Sequence, residues 1–349
     1  MGTSNGQARV NESRRVVHVV CSAGFAGVER YISYVAPCLA RRGWEVTVVG
    51  GNTERMHDAL GDIRHVHGAS LASAMAALTR FDRTAIVHAH MTEAESAAVA
   101  MRVVRRFPIV VTRHFGAPRG SSRLGHLVAP LIRRGISEQI AVSDFVAAAI
   151  DEPSVTIRNA VPDAYETAAR DRHIVLVVQR LEGEKLTADA LRAWTGTPLP
   201  ALGWKLLIAG EGREHARLAE LAHELGVSQS VELLGARSDT DELMRSATIF
   251  VATAPAEPFG LSVVEAMAAG LPVIATRAGA HLETVGAVTT RWMYRPGEHA
   301  ELSSMLQALA LDHAERARYG RALQEHQRAA LSLDAHVDQL ETLYERLRR

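Results

Sequence analysis

VVHVVCSAGFAGVERYISYVAPCLARRGWEVTVVG (16–50) is the stretch that decides the fold. It opens on a short β-branched run (16–22), passes through the glycine-containing turn AGFAG, and continues as VERYISYVAPCLARRG, whose apolar positions recur at helical spacing. A second strand-like run, WEVTVVG (44–50), follows. Strand, turn, helix, strand is a βαβ unit, the building block of parallel sheets. The pattern repeats outward, with AIVHAH (85–90), FPIVVTRH (107–114) and EQIAVS (138–143) supplying further strands. A second series comprises IVLVVQR (174–180), WKLLIAG (204–210), SVELLG (230–235), TIFVAT (248–253) and LPVIAT (271–276). These are near-continuous apolar runs of the kind buried on both faces. Between the series lies NAVPDAYETAARDRH (159–173), polar and without a strand of its own, which reads as a linker.

The length agrees. At 349 residues the chain exceeds the size at which one core stops growing, so two domains are expected. The expected division is a loose tail at 1–13, a first α/β domain at 14–160, the linker at 161–173, a second α/β domain at 174–325, and a terminal helix at 326–349 that crosses back to the first domain. Composition is globular, with 47% hydrophobic and 22% charged residues. Basic and acidic residues balance at 39 each, which argues against nucleic acid as a partner. The polar start MGTSNGQARVNESRR has no apolar middle and no run approaches a membrane span, so the sequence reads as cytoplasmic. Cys21 and Cys38 are too few for a disulfide scaffold and read as small buried apolar residues. Of the 39 basic residues only Lys185 and Lys205 are lysine, so a lysine here marks a place that wants a compact ammonium.

Two open α/β sheets facing a central cleft bind ligands beyond the carboxyl ends of their strands. The most informative segment there is APAEPFGLSVVEAMAAGLPVIAT (254–276). Glu257 and Glu265 are separated by seven residues, and the turn Pro258-Phe259-Gly260 between them opens a helix ending near Gly270. The backbone N–H groups of Gly260, Leu261 and Ser262 then form an anion site at a helix N-terminus. Glu265, one turn in, is placed to accept bonds from sugar hydroxyls.

The segment resembles the E-x7-E signature of glycosyltransferase family 4, the retaining nucleotide-sugar transferases of GT-B fold. Other segments are similar in the same order: GVERYISYVAPCLARRGWEVTVV, VHAH (87–90), VVTRH (110–114), IAVS (140–143), IRNAV (157–161), QRLEGEK (179–185), LLIAGEG (206–212) and AGAHLE (278–283). The resemblance spans roughly residues 16 to 345 and implies two Rossmann-like domains, a hexosyltransferase activity, a UDP-sugar donor and a small-molecule acceptor with a hydroxyl group. It implies that Glu265 holds the ribose hydroxyls, that Glu257 contacts the transferred sugar, and that Arg180 and Lys185 neutralise the diphosphate. His114 matches the acceptor-domain histidine near the reacting carbon, the alternative being a satisfied core histidine. His90 is an acceptor-side candidate or a core histidine. Phe259, Gly210, Gly24 and Gly27 join the donor-binding set, the last two with a turn-only role as the alternative. Gln179, Leu186, Ala26 and Ala160 replace glycines usual in the family, and a Cβ at such positions restricts φ and close approach.

Other readings are weaker. Asp239-Thr240-Asp241 resembles a metal-holding D-x-D but precedes a helix, whose N-terminus favours acidic residues. His88-x-His90 and His65-x-His67 each place two imidazoles on one strand face with no third ligand evident, so neither a metal nor another cofactor is expected. Gly210-Glu211-Gly212 lacks the third glycine of a dinucleotide fingerprint. A nucleotide-sugar epimerase of the same fold, or a catalytically silent sugar-nucleotide-binding partner protein, is the alternative function. GAPRGSSRLGHLVAPLIRRG (116–135) reads as a core-facing helix with an arginine edge, and membrane contact is less favoured.

Overall fold

The computed structural model describes residues 14–117, 125–150, 152–163 and 172–349, with the backbone alone at 125–128. The tail before Arg14, most of the expected linker, and Arg119, Arg123 and Leu124 of the basic segment lie outside the described residues. No described helix is long and apolar enough to cross a membrane.

The first sheet contains β1 (Arg15–Val20), β2 (Glu45–Val49), β3 (Arg64–Val66), β4 (Ala85–His90), β5 (Ile109–Arg113), β6 (Glu138–Ala141) and β7 (Val155–Thr156), in the order β3-β2-β1-β4-β5-β6-β7. The second contains β8 (Ile174–Val178), β9 (Lys205–Ala209), β10 (Val231–Gly235), β11 (Ile249–Ala252), β12 (Val273–Thr276) and β13 (Met293–Tyr294), in the order β10-β9-β8-β11-β12-β13. All resolved pairings, such as β1 with β4 and β8 with β9, are parallel. Both sheets run outward from their first strand in two directions, so each has a switch point, at β1/β4 and at β8/β11. Ligands of open α/β sheets bind beyond the carboxyl ends at such a point.

The described residues form two compact units. One takes the described residues of 14–113, 125–140 and Val337–Arg349, and the other takes His114–Ala117 and the described residues of 141–336. Residues 141–160 thus group with the second unit rather than with the domain expected at 14–160. The terminal helix is Leu333–Arg348, separate from a preceding helix His313–Ala330, rather than one element from 326.

In the first unit, one sheet face packs Val17, Val19, Val87 and Val111 against helix residues Ala74, Leu78, Ala94 and Ala97. Trp44 Nε1 donates to Glu341 at 2.8 Å, Arg42 pairs with the same carboxylate at 2.9 Å, and the buried Tyr344 meets Trp44 edge-on at 5.2 Å. These contacts dock the last helix within its unit. Cys38 is buried as expected, but Cys21 is only partly so, and burial with Glu93 nearby pushes its thiol up to about 11. In the helix Gly125–Gly135, Leu131 is exposed, whereas Ile132 and Gly135 are half-buried and Gly135 packs close to Val99, so Leu131 lies on the solvent side of the segment.

In the second unit, helix His313–Ala330 packs behind the helix Leu261–Ala268. The Gln324 amide donates to the last-turn carbonyl of Ala268 at 2.8 Å, and the Tyr319 hydroxyl to Val273 O at 2.8 Å. Gly320 lies so close to the turn at Gly270 that a Cβ would stand 2.2 Å from the Gly270 carbonyl oxygen. Gly320→Ala must therefore push the two helices apart and should cost about 1–3 kcal/mol in urea unfolding, as overpacking does; a change below about 0.5 kcal/mol would refute this contact.

Candidate functional site

The site builds on the carboxyl ends of β8 and β11. After β8 the chain passes Gln179 and Arg180 into the short 3-10 turn Gly183–Lys185. After β11 it passes Thr253 and Ala254 to Glu257 and then to Gly260, which takes a left-handed conformation (φ 85°) before the helix Leu261–Ala268. Val263 and Val264 N–H both return to the Gly260 carbonyl, at 3.0 and 3.1 Å, so the helix starts where the sequence places it. The first N–H groups of a helix have no partner within it and carry its positive end. Phe259 is buried beneath this turn, and Glu265 is buried inside the helix it opens.

Lys185 Nζ donates to Glu257 Oε2 at 2.7 Å, both side chains being mostly buried. Burial alone would raise the Glu257 carboxyl, but the charge and hydrogen bond of Lys185 and the Phe259 N–H outweigh it and hold the carboxyl below its usual range. The Glu257 backbone is fixed by Gly279 and Ala280. Ala280 N–H donates to Glu257 O at 2.9 Å, and a Cβ on Gly279 (φ 58°) would stand 2.8 Å from Glu257 N. Arg180, by contrast, is half exposed and pairs with Glu184 at 2.9 Å. Lys205 is exposed and bonds the Gln229 carbonyl.

Three of the departures from the glycine pattern, Gln179, Leu186 and Ala26, take different local conformations and roles. The Gln179 amide donates to Thr187 and Thr253 hydroxyls, both at 2.8 Å, and to Lys185 O at 3.3 Å, while Thr253 Oγ1 also donates to Lys185 O at 2.6 Å. A side chain in place of glycine thus pins the turn carrying Lys185. Leu186, the next residue, takes φ 49°, a left-handed conformation that costs a non-glycine residue roughly 1–2 kcal/mol. Ala26 is extended (φ −123°), which any residue adopts. Gly210 serves the backbone, since a Cβ there would meet Gln179 O at 1.8 Å.

His114 also belongs to the second unit and is buried. Burial, with His336 adding to it, pushes its imidazole down to about 3. His336, itself pushed to about 4 by burial, donates from Nδ1 to Arg158 O at 2.7 Å. The Arg158 guanidinium meets Glu283 at 3.3 Å, and Glu283 accepts from the N–H groups of Asp144 and Phe145 at 2.9 and 2.7 Å. His281 is likewise buried and pushed to about 4, mainly by burial; its Nδ1 bonds Thr276 Oγ1 at 2.9 Å. Sequence reading gave no role to His281, Glu283, Arg158 or His336; AGAHLE was the only signal for the first two.

Gly24, Gly27 and His90 lie in the other unit. Gly24 N–H bonds Ser22 Oγ at 2.8 Å and Gly27 begins the helix Gly27–Arg41. His90 is fully buried beside Tyr31, and the third imidazole absent from the sequence reading is there: His18, on the neighbouring strand, bonds it at 3.0 Å. His65 bonds Gly50 O, whereas His67 lies beyond its strand and is exposed. Asp239 pairs with Arg237 at 2.6 Å just before the helix Thr240–Ser246.

The family model described as Glycosyl transferases group 1 matches residues 164–326, and that described as Glycosyltransferase Family 4 matches residues 25–163. Glycogen synthase of Mycobacterium tuberculosis is 30% identical over 265 residues, covering 70% of this chain and 64% of that protein. A lipopolysaccharide core biosynthesis mannosyltransferase, LpcC of Rhizobium leguminosarum bv. viciae, is 24% identical over 339 residues, covering 92% and 93%. The chain spans 13%, 32% and 37% of the lengths of three further curated relatives. A crystal structure of HepE from Anabaena, in complex with UDP and glucose, has a TM-score of 0.82 at 21% identity, covering 95% of this chain and all of that one. This likeness is one of fold, the two-domain α/β GT-B architecture.

His114, His281 and His336 all resist protonation in the folded chain until about pH 3 to 4, whereas unfolded imidazoles take a proton near 6.5. Unfolding therefore takes up protons, and stability falls as pH drops from about 6.5 towards 4, each group contributing about 1.4 kcal/mol per pH unit well below its unfolded value. Urea unfolding at pH 7, 6 and 5 should show this loss; flat stability across that window would contradict the buried neutral state of all three.

Proposed function

We propose that this chain, which belongs to glycosyltransferase family 4, transfers a hexose from a UDP-sugar to a hydroxyl of a small acceptor with retention at the transferred carbon. The observation that carries the reading is the Lys185–Glu257 pair, 2.7 Å apart, beside the helix start that leads to the buried Glu265. A diphosphate flanked by two sugars fits that set. The cation and the helix N–H groups suit the phosphates, and the two carboxylates suit the hydroxyls on either side. HepE, of the same fold, binds UDP and glucose, which supports a UDP-linked donor here.

In the reaction the bond between the sugar's anomeric carbon and the diphosphate oxygen breaks. Negative charge builds on the diphosphate as the carbon becomes cationic. Lys185, Arg180 and the N–H groups of Gly260, Leu261 and Ser262 stabilise that charge more in the transition state than in the bound donor. The acceptor oxygen attacks from the face the leaving group is vacating, and its proton passes to a donor phosphate oxygen, so UDP leaves protonated and retention follows. Glu257, held ionised by Lys185, orients the sugar hydroxyls; a covalent intermediate on it is the less favoured route. His114, neutral at physiological pH, positions the transferred sugar through a hydrogen bond rather than serving as a charged acid. No step in this scheme draws on a metal ion.

Lys185→Ala should lower kcat about 10²- to 10³-fold, the usual effect of losing one group that stabilises developing charge. Glu265→Gln should raise the donor KM about tenfold with kcat less affected, because it removes a charge-assisted bond present in both ground and transition states. His114→Ala should lower kcat about 10²-fold at nearly constant donor KM. UDP release in the presence of UDP-sugar and an acceptor panel reads all three. Donor binding without nucleotide release from any acceptor would contradict the transferase assignment, and equal kcat and KM effects in both the Glu265 and His114 variants would contradict the division of roles.

A further inference from the structure

The first unit holds a cluster of imidazoles that the transfer reaction does not use. His18 on β1 and His88 on β4 are register partners in the parallel sheet, and His90 pairs with Val20 in the same ladder. Side chains two apart on a strand share a face, so His18, His88 and His90 converge on one side of the sheet. All three are fully buried. One ring nitrogen from each lies within 4.8 Å of the other two. His18 Nδ1 and His90 Nε2 are 3.0 Å apart. His88 is held on both sides, with Nε2 bonded to Thr112 Oγ1 and Nδ1 to the Tyr344 hydroxyl, each at 2.6 Å.

We propose that His18, His88 and His90, with the Tyr344 hydroxyl as fourth ligand, form a closed binding site for a tetrahedral divalent transition metal of the zinc class. Zinc binds imidazole nitrogen at 2.0–2.1 Å, so two such ligands at a tetrahedral angle stand about 3.3 Å apart. The His18–His90 separation falls about 0.3 Å short of that. Both contacts open on binding, the 3.0 Å His18–His90 one by about 0.3 Å and the 2.6 Å His88–Tyr344 one by about 0.7 Å, so that a cation takes the place of the protons now held there. In the tautomer that binds metal, His88 Nε2 donates to the Thr112 hydroxyl and the lone pair on Nδ1, beside Tyr344, faces the metal. Ligating histidines are commonly oriented by such a bond to the other ring nitrogen. On binding, the proton shared by His18 and His90 moves to an outer ring nitrogen and the phenol proton leaves to solvent. Three neutral imidazoles and one phenolate then carry the divalent ion. Three imidazoles and an oxygen suit zinc or cobalt better than magnesium or calcium, which take oxygen ligands. Complete burial makes the site structural in kind: it ties β1 and β4, at the switch point of the first sheet, to the part of the terminal helix from Val337 onward, which belongs to the same unit.

The test uses the untagged full chain, refolded from urea with one equivalent of Co2+ as the probe, beside the zinc content of the natively purified protein. The expected results are near-stoichiometric zinc in the native protein, the intense visible absorption of tetrahedral cobalt in the refolded one, and a higher melting temperature with metal than without. His18→Asn should abolish all three. Tyr344→Phe keeps its ring against Trp44, so it should fold and should weaken cobalt binding about tenfold or more. Native protein without zinc together with no tetrahedral cobalt spectrum in the wild type would overturn the proposal, leaving the cluster as a purely hydrogen-bonded one. A spectrum that survives His18→Asn, or an affinity unchanged by Tyr344→Phe, would overturn the assigned ligands.

Discussion

The ion pair between Lys185 and Glu257 is the constraint on which the second unit's site depends. A charge taken largely out of water is costly unless paired, and removing one partner of such a pair leaves the other uncompensated. Here the pair joins the two loops that follow β8 and β11, the strands flanking the switch point. Its position is set from both sides. Gln179 and Thr253 hold the Lys185 turn through its carbonyl, and Gly279 with Ala280 hold the Glu257 backbone. The arrangement holds a cation and an anion a hydrogen bond apart, and in the proposed reaction a more strongly charged diphosphate competes for that cation.

The packing behind the pair follows the same logic. The helix that starts at Gly260 must present its N-terminus to the site, so its far end needs support. Gln324 satisfies a carbonyl there, Tyr319 reaches the next strand, and Gly320 admits the close approach both require. Leu186, next to Lys185, is one of three non-glycine residues among those described that take a left-handed conformation, the others being Met91 and Arg106 in the first unit. Buried imidazoles elsewhere in the unit are kept neutral mainly by desolvation, with nearby charges a smaller influence, which is the origin of the acid sensitivity expected of the fold.

Strands such as β1, β4, β8 and β12 were legible because β-branched apolar runs bounded by glycine or polar turns have few other uses. The three elements not anticipated, β3, β7 and β13, are only two or three residues long, too short for a period to show. Within the site, the E-x7-E segment was readable because one short stretch carries the turn, the helix start and both carboxylates. His336 and Arg158 were not, since their effect on His114 depends on which distant segments the fold brings together. The same holds for His18. His88 and His90 announce themselves as a pair, but the third imidazole comes from a strand whose pairing with β4 no local pattern reveals. Gln179, visible as a departure from the glycine pattern, had a role only the structure could give, since its amide bonds oxygens from two other loops.

The most direct test of the account is the discrimination between UDP and UMP by isothermal titration, in the wild type and in Lys185→Met. If Lys185 is the cation that receives the diphosphate, the wild type should bind UDP much more tightly than UMP, and the substitution should remove most of that preference while leaving UMP affinity little changed. A preference for UDP that persists undiminished in Lys185→Met would contradict the account.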